Sequence, residues 1–418
     1  MSKTIIIIGA GLAGLSAALQ AAENGCNVKL VSSLPSERAQ SVMAEGGINA
    51  ALNTKDENDS PEEHFTDTIK AACGLADPNA VWGMTQAAPE LVHWLLKLGV
   101  KFNMSGYDDV DLRNFGGQKK KRTAFAQSDT GKQIMTAMID AVRRKEASGM
   151  VERFSHHSFL TLRLCGNICC GCVIRDEYSQ ETVELPGDAV IVATGGMHGL
   201  FGNTTGSLSN TGEVTAELFR LGVPLANGEM IQYHPTTVKC GGKRMLISEA
   251  ARGEGGRLFA MKDGKQWYFM EEKYPELGNL MPRDITAREI WKVSHESEVF
   301  LDMTEISEEI ISNKLSGLAD DCMTYLHKDI RKEPVSVLPG IHYFMGGILV
   351  DEQHRTPIQN LCAAGECCAQ YHGANRLGGN SLLGALYGGR VAAKSACEQA
   401  DVVDLSLSLI HISEPTRL

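Results

Sequence analysis

The stretch from Thr4 to Val31 reads TIIIIGAGLAGLSAALQAAENGCNVKLV, and it decides the fold. Its four consecutive isoleucines predict a strand that is buried on both faces, and the residues after them predict a helix and then a second strand. Three glycines between the first strand and the helix follow the spacing G-x-G-x-x-G. Gly9 suits a tight turn, Gly11 lets the backbone approach a pyrophosphate, and Gly14 lets the helix pack on the strand. The stretch therefore predicts a dinucleotide site with its phosphates at the helix N-terminus.

The tip of the second predicted strand carries no acidic residue. Val31 is followed by Ser32 and Ser33, whereas a carboxylate at this place would hold a ribose hydroxyl of NAD. The glycine motif therefore predicts a dinucleotide but does not choose between NAD and FAD.

The composition is that of a globular protein with more than one domain. The 418 residues predict two or three domains. A net charge of −11 argues against general nucleic-acid binding, and no apolar run is long enough for a membrane span. Because the glycine motif interrupts the apolar N-terminus, we expect no signal peptide, a cytoplasmic location and reduced thiols.

Two local clusters have plain structural interpretations. Cys169, Cys170 and Cys172 form the sequence CCGC, but their setting NICCGCVI is typical of a buried strand, so we expect no metal. The basic run from Lys119 to Arg122 is typical of a solvated charged face.

A second part of the chain interrupts the nucleotide-binding pattern. Residues 189–193 predict a buried strand that ends in ATGG and can return to the first sheet. From residue 226 to residue 335 the texture changes to mixed helices and short strands, which indicates an inserted domain. The segment from Leu361 to Glu366 then resumes the strand-turn pattern.

Five clusters in the second half combine His, Arg and Glu with glycine. They read QYHPT from Gln232, SEAARGEGG from Ser248, MPRD from Met281, HYFMGG from His342 and HGANRLGGNS from His372. Taken singly, each fits a turn, a surface loop or a helix cap. Together with GAGLAGL, AEGGINAA, FGG, RTAF, ATGG and AAGE, they make the chain from Lys3 to Ala400 resemble one family. This family contains the flavoprotein subunits of fumarate reductase and succinate dehydrogenase and their relative L-aspartate oxidase.

The resemblance implies an α/β fold, in which a Rossmann-like FAD-binding domain is interrupted by an α+β capping domain. We expect the first part of the FAD-binding domain at residues 1–225, the capping domain at 226–335 and the second part at 336–404. The active site is expected between the two domains. The last segment, 405–418, reads like translated sequencing adapter, so we expect a truncated gene and assign no structure or function to this tail.

The resemblance also implies a role for each motif residue. The residues expected to bind the substrate are Phe125, His234, Thr236, His342 and Arg376. The residues expected to act in catalysis are His234 together with Arg283 as the proton donor and Glu249 and Arg252 as its relay. The residues expected to contact FAD are Gly9, Ala10, Gly11, Leu12, Ala13, Gly14, Ser32, Ala44, Glu45, Gly46, Gly47, Glu213, Glu366, Asn380, Ser381 and Leu382.

These residue types suit the reduction of fumarate to succinate. Fumarate is a dianion, and an arginine grips a carboxylate through two hydrogen bonds. Flavin N5 would pass a hydride to one alkene carbon, and Arg283 would give a proton to the other. Arginine normally has too high a pKa to act as an acid, and the family is thought to overcome this through a carboxylate relay, here Glu249.

One position departs from the membrane-linked enzymes of the family, in which a His binds FAD covalently. Aligned on AEGG, that position is Gln40. An amide cannot form the bond, so we expect non-covalent FAD at a lower potential, which favours fumarate reduction over succinate oxidation. The resemblance also implies an iron–sulfur subunit as electron donor and association with the inner face of the membrane through partner subunits.

L-Aspartate oxidase, which makes iminoaspartate, is the alternative. It also lacks the covalent bond, but RTAFAQSDTG around Phe125 and LGGNS at 377–381 are nearer to the reductases. A 3-ketosteroid dehydrogenase takes a neutral substrate, which the cationic clusters argue against. A non-enzymatic FAD-binding protein or an inactive truncated product does not fit the complete set of site motifs.

Overall fold

The computed structural model describes residues 2–399. Residues 400–404, at the end of the second FAD-binding part, and the adapter-like tail 405–418 lie outside the described residues. The strands are β1 (Thr4–Ile8), β2 (Asn27–Ser32), β3 (Ile48–Asn49), β4 (Leu112–Arg113), β5 (Thr123–Ala124), β6 (Val151–Ser155), β7 (His157–Cys165), β8 (Ile168–Asp176), β9 (Thr182–Pro186), β10 (Ala189–Val192), β11 (Leu225–Ala226), β12 (Ile231–Cys240), β13 (Lys243–Leu246), β14 (Arg257–Lys262), β15 (Lys265–Trp267), β16 (Val299–Asp302), β17 (Val335–Ser336), β18 (Leu338–Phe344), β19 (Gly347–Leu349), β20 (Leu361–Ala363) and β21 (Cys368–Ala369). The α-helices are α1 (Leu12–Glu23), α2 (Pro61–Ala71), α3 (Pro78–Lys97), α4 (Thr130–Ala147), α5 (Glu213–Arg220), α6 (Glu249–Gly253), α7 (Phe269–Lys273), α8 (Arg283–Val293), α9 (Glu308–Lys314), α10 (Ser316–Asp321) and α11 (Asn380–Gln399).

A five-stranded parallel sheet organises the nucleotide-binding part. Its strand order is β20-β10-β1-β2-β6, and every neighbouring pair is parallel. Ile5 and Ile7 of β1 pack in one hydrophobic cluster with residues of α1, α4 and α11. Ile6 and Ile8 pack in another cluster with β8 and α5. The predicted doubly buried strand and the return of residues 189–193 to its sheet are therefore confirmed, and the fold class is α/β.

The glycine turn has the geometry that its sequence predicts. Gly9 has φ +111°, and a Cβ there would lie 2.2 Å from the carbonyl oxygen of Ala193. A Cβ on Gly14 would lie 1.8 Å from the carbonyl oxygen of Gly9. Helix α1 begins at Leu12, with Gly11 as its N-cap. The close contact at Gly14 therefore falls in the first turn of the helix.

Two antiparallel sheets lie in the part of the chain that follows β11. One has the order β13-β12-β18 and the other β15-β14-β16-β17. In the first sheet His234 of β12 lies opposite Gly340 of β18, which brings His342 close to His234. Helix α6 begins at Glu249 and helix α8 at Arg283, so both helices offer a charged residue at their first position. The predicted domain boundaries at residues 226 and 335 stay a prediction.

The basic run from Lys119 to Arg122 differs from the predicted solvated face at its last residue. Arg122 is fully buried and forms ion pairs with Asp59 at 2.8 Å and with Asp67 at 3.0 Å. The prediction of a solvated face is therefore wrong for Arg122, because its guanidinium ties the edge of β5 to helix α2 and to the loop before it. The predicted buried strand around Cys170 is confirmed as β8.

Between residues 2 and 399, no group of three or more His, Cys, Asp or Glu side chains is placed to hold a metal ion. The helices in the same range lack the combination of length and apolar character that a membrane crossing requires.

Candidate active site

A cavity of about 630 Å³ begins at the carboxyl ends of β1, β2 and β10 and extends to β12, β18 and the start of α8. Most residues that the sequence assigns to FAD line it. They are Gly9, Ala10, Gly11, Leu12, Ala13, Ser32, Ala44, Glu45, Gly46, Gly47, Glu213, Glu366, Ser381 and Leu382. Gln40 lines it as well. The cavity therefore joins the glycine turn to the histidine and arginine clusters of the second half.

The glycine end of the cavity fits a dinucleotide. The N-cap residue of helix α1, Gly11, offers no side-chain cap, and the Leu12 N–H donates to Ser41 Oγ at 3.3 Å, so the N–H groups that follow it in the first turn can bind an anion. Among the described residues other than its chain neighbours, the nearest atom to a Cβ on Gly11 would be Ser41 Oγ at 3.7 Å, so the space in front of this backbone is open. The Ser32 hydroxyl at the end of β2 is buried and makes no hydrogen bond within residues 2–399. An FAD phosphate and ribose would satisfy these groups.

Glu45, in the segment AEGGINAA, has a carboxyl oxygen, Oε2, that is buried without a hydrogen-bond partner among the described residues. Burial, with Asp321 and Asp129 nearby, raises the pKa of Glu45 to about 8. The side chain is therefore neutral at pH 7.

At the other end of the cavity, Arg283, Glu249 and Arg252 form a continuous chain of charges. Arg283 donates to Glu249 Oε2 from Nε at 2.8 Å, and its Nη2 lies 2.6 Å from the same oxygen. Glu249 Oε1 accepts from the backbone N–H of Gly116 at 2.9 Å and lies 3.4 Å from Arg252 Nη2. Burial raises the pKa of Glu249, but Arg283 and Arg252 outweigh it, so the pKa lies below its usual value. Glu249 is therefore a buried anion between two cations.

Two histidines from adjacent strands face the row of charged side chains formed by Arg283, Glu249 and Arg252. The ring centroids of His234 and His342 are 5.0 Å apart, and both residues line the cavity. Burial, with the positive charge of Arg283 added, holds the pKa of both histidines well below the usual value. Both rings are therefore neutral near pH 7, and each offers one N–H donor.

A second arginine completes the cationic end. The guanidinium of Arg376 lies 4.3 Å from the ring centroid of Tyr343, and its buried Nε has no hydrogen-bond partner in the described part of the chain. Burial, and next the charge of Arg283, lowers the pKa of Arg376 to about 9. Gln232 links the two arginines, because it donates to the Arg376 carbonyl at 2.8 Å and accepts from Arg283 Nη1 at 3.1 Å. This end can hold a small dianion.

Comparisons with known proteins agree with this architecture. The model of the FAD binding domain family matches residues 4–382. The succinate dehydrogenase flavoprotein subunit of Bacillus subtilis is 44% identical over 97% of this chain and 72% of its own length. The 8-methylmenaquinol:fumarate reductase flavoprotein subunit of Wolinella succinogenes is 34% identical over 96% of this chain and 66% of its own length.

A solved structure leads to the same family. A variant of E. coli quinol fumarate reductase superposes with a TM-score of 0.90 at 30% identity, over 98% of this chain and 73% of that chain. The chain belongs to the succinate dehydrogenase and fumarate reductase flavoprotein family. It is an FAD-dependent oxidoreductase of this type.

Within this flavoprotein family the motif FGG…RT.F offers two aromatic residues, and the structure places the first of them at the site. Phe125 is fully buried beneath the Arg113 guanidinium, 3.8 Å from its ring centroid, and does not line the cavity. Phe115 lines the cavity, and a Cβ on Gly46 would lie only 2.7 Å from its Cζ. Of these two aromatic residues, Phe115 lines the cavity and Phe125, expected from the sequence, does not.

Four more flavoprotein motif residues lie behind the cavity wall. Thr236, expected from the sequence to bind substrate, does not line the cavity, and its hydroxyl donates to the carbonyl of Ile247 at 2.8 Å, whereas Ser248 lines the cavity. The other three do not line it but support residues that do. They are Gly14, which packs α1 on the turn, Arg252, which contacts Glu249, and Asn380, which bonds with Asn49, His64 and Thr68.

Sequence reasoning missed three polar or aromatic residues whose motifs contained the signal. Phe115 stands in FGG, Ser248 directly precedes Glu249, and Gln232 opens QYHPT. It also missed Arg244, which lines the cavity from β13 and bonds with Thr237. No motif marked Arg244.

Proposed function

We propose that this flavoprotein interconverts fumarate and succinate and acts chiefly as a fumarate reductase. The observation that carries the proposal is the chain Arg283–Glu249–Arg252, which ends beside His234 and His342 in the same cavity as the flavin-binding turn. Glu249 is the carboxylate paired with Arg283 and Arg252, and Arg376 adds a further buried positive charge. An anionic ligand would balance the excess of positive charge at this end of the cavity. A C4 dicarboxylate supplies two charges at the spacing of a small molecule.

His234, His342 and Arg376 hold the two carboxylates of the substrate. The neutral histidines can donate one N–H each, and Arg376 Nε, which no described residue hydrogen-bonds, can donate to a carboxylate. Phe115 forms an apolar wall over the alkene, in the role first expected of Phe125. Ser248 adds a hydroxyl next to Glu249. The positive groups polarise the double bond towards the carboxylate that they bind.

Arg283 is the proposed proton donor to the alkene carbon. FAD, when bound, supplies the hydride. The ion pair with Glu249 fixes the Arg283 guanidinium at the cavity, and the contact of Glu249 with Arg252 offers a path for a replacement proton. Arg252 in turn donates to the carbonyl of Asn279 at 2.6 Å. Arg376 is the weaker candidate for the acid, because no carboxylate hydrogen-bonds to its guanidinium among the described residues.

The cofactor is proposed to be non-covalent. Gln40 lines the cavity at the position of the linking His, and an amide forms no bond to the flavin ring. The lower potential expected of such a flavin is the reason to propose fumarate reduction as the main direction. An iron–sulfur subunit as electron donor and association with the inner face of the membrane through partners complete the proposal.

L-Aspartate oxidation is the weaker alternative. Phe125 does not reach the cavity and therefore does not distinguish the two activities. The surroundings of Glu249 do distinguish them. The carboxylate nearest to Arg283 is Glu249, and both its oxygens already accept from protein donors. It is therefore not free to hold the ammonium of an amino acid.

Comparison of fumarate with crotonate tests this proposal. Crotonate has a methyl group in place of one carboxylate, and each buried donor left unpaired costs roughly 1–3 kcal/mol. With reduced viologen as electron donor, we expect kcat/KM for crotonate to be about 5- to 150-fold lower than for fumarate for each lost contact. Arg376→Gln should lower the ratio of kcat/KM for fumarate to kcat/KM for crotonate. Arg390 stacks on Trp94 away from the cavity, so Arg390→Gln should leave this ratio unchanged. Turnover of the two acids within twofold would refute the proposal.

A further inference from the structure

The loop of residues 203–206 runs along strand β18 at the edge of the cavity. Its backbone is fixed to the strand, because Ile341 donates to the carbonyl of Asn203 and Thr205 donates to the carbonyl of Ile341, both at 2.9 Å. Thr205 lines the cavity and is 8% exposed. Its side chain is therefore held beside His342, the next residue of the strand.

The Thr205 hydroxyl contacts one nitrogen of that histidine. Thr205 Oγ1 lies 2.8 Å from His342 Nδ1, and this is the only hydrogen bond of the hydroxyl with residues 2–399. If Nδ1 carried the ring hydrogen, the hydroxyl hydrogen would have no acceptor in the described chain. A buried donor without an acceptor is unfavourable, so the hydroxyl donates and Nδ1 accepts.

We propose that Thr205 is a positioning residue that holds His342 in the tautomer with its hydrogen on Nε2. A neutral imidazole has one N–H, and Nε2 makes no hydrogen bond with any described residue. The Nε2–H group is therefore available to a carboxylate in the cavity. This inference rests on the proposed function for the identity of that carboxylate, but the tautomer itself does not depend on it.

A second histidine fixes the residue next to Thr205. Thr204 Oγ1 accepts from the N–H of Gly206 at 3.0 Å and lies 2.7 Å from His198 Nδ1. His198 Nε2 lies 3.1 Å from Glu366 Oε1. Because a carboxylate accepts hydrogen bonds, Nε2 of His198 donates to Glu366. This chain ties the loop to Glu366 at the flavin end of the cavity.

Two substitutions of the hydroxyl separate positioning from packing. Thr205→Val keeps the branched shape and removes the hydroxyl, whereas Thr205→Ser keeps the hydroxyl. We expect Thr205→Val to raise KM for fumarate and the dissociation constant of succinate about five- to tenfold, with kcat and FAD content little changed. Thr205→Ser should stay within twofold of the wild type. Thr356→Val, which removes another buried hydroxyl bonded to Ile358, is the matched control.

The tautomer gives a readout that is independent of turnover. The nitrogen-15 spectrum of histidine-labelled protein, with the His342 signals assigned by their loss in His342→Gln, should show a protonated Nε2 in the wild type and mixed tautomers in Thr205→Val. Unchanged tautomer and affinity in Thr205→Val, or equal weakening by Val and Ser, would overturn the inference. A wild type that shows the tautomer but does not reduce fumarate would instead refute the proposed function.

Discussion

Replacement of Arg283 by lysine removes the proposed acid while keeping its charge. Arg283 contacts Glu249 through two nitrogens, at 2.8 and 2.6 Å, and donates to Gln232 at 3.1 Å through a third. A lysine carries its donors on one atom, so it cannot hold both partners in the same geometry. The lost hydrogen bonds should lower the free energy of unfolding by about 1–3 kcal/mol.

The effect on catalysis should be larger than this loss of stability. General acid catalysis contributes about 10²- to 10⁴-fold, which corresponds to about 2.7–5.4 kcal/mol at 1.36 kcal/mol per factor of ten. We expect Arg283→Lys to lower kcat for fumarate by that factor, with FAD content near normal. KM should change little because His234, His342 and Arg376 remain.

The assay is fumarate-dependent oxidation of reduced viologen by the FAD-loaded protein. Arg257→Lys is the matched control, because Arg257 also makes two hydrogen bonds to one carboxylate, that of Glu271, but does not line the cavity. This control should keep wild-type kcat. If Arg283→Lys retained kcat within tenfold of the wild type, Arg283 would be an ion-pair partner and not the proton donor.

Three further predictions concern the cofactor and the aromatic wall. Because Gln40 replaces the linking His, acid precipitation should release all FAD, and a yellow precipitate would contradict this. Glu45, with a pKa of about 8, gains a buried charge above pH 8, so the dissociation constant of FAD should rise roughly tenfold from pH 7 to pH 9. Glu45→Gln should abolish that rise, and an equal rise in both proteins would contradict the assignment. Phe115→Leu should raise KM for fumarate at least threefold, whereas Phe125→Leu should lower the free energy of unfolding by about 1–3 kcal/mol at unchanged KM; the reverse pattern would restore Phe125 to the site.

The parts of the fold predicted from sequence are those fixed by local geometry. Gly9 and Gly14 have tasks that follow from the turn itself, and the isoleucines of β1 are apolar on both faces because both faces are covered. The grouping of Arg283, Glu249 and Arg252 was implied by the family resemblance, because each residue stands in one of its motifs. In the structure Glu249 opens α6, Arg252 lies within it and Arg283 opens α8.

The misassigned residues depend on contacts between distant segments. Phe115 and Phe125 stand ten residues apart in one motif, and the pairing of β5 with β3 and β4 turns Phe125 towards Arg113 and away from the cavity. In the sequence Arg122 is the last residue of a basic run. In the fold it is buried against Asp59 and Asp67. In both cases the partner lies in a different element, and the sequence spacing carries no information about it.

The most direct test of the account compares two activities of one flavin-loaded preparation. The first is reduction of fumarate by reduced viologen, and the second is oxidation of L-aspartate with an artificial acceptor. The buried cations Arg283 and Arg376, with both oxygens of Glu249 already engaged, predict that kcat/KM for fumarate is the larger. A larger kcat/KM for L-aspartate than for fumarate would contradict the account and favour L-aspartate oxidase as the function.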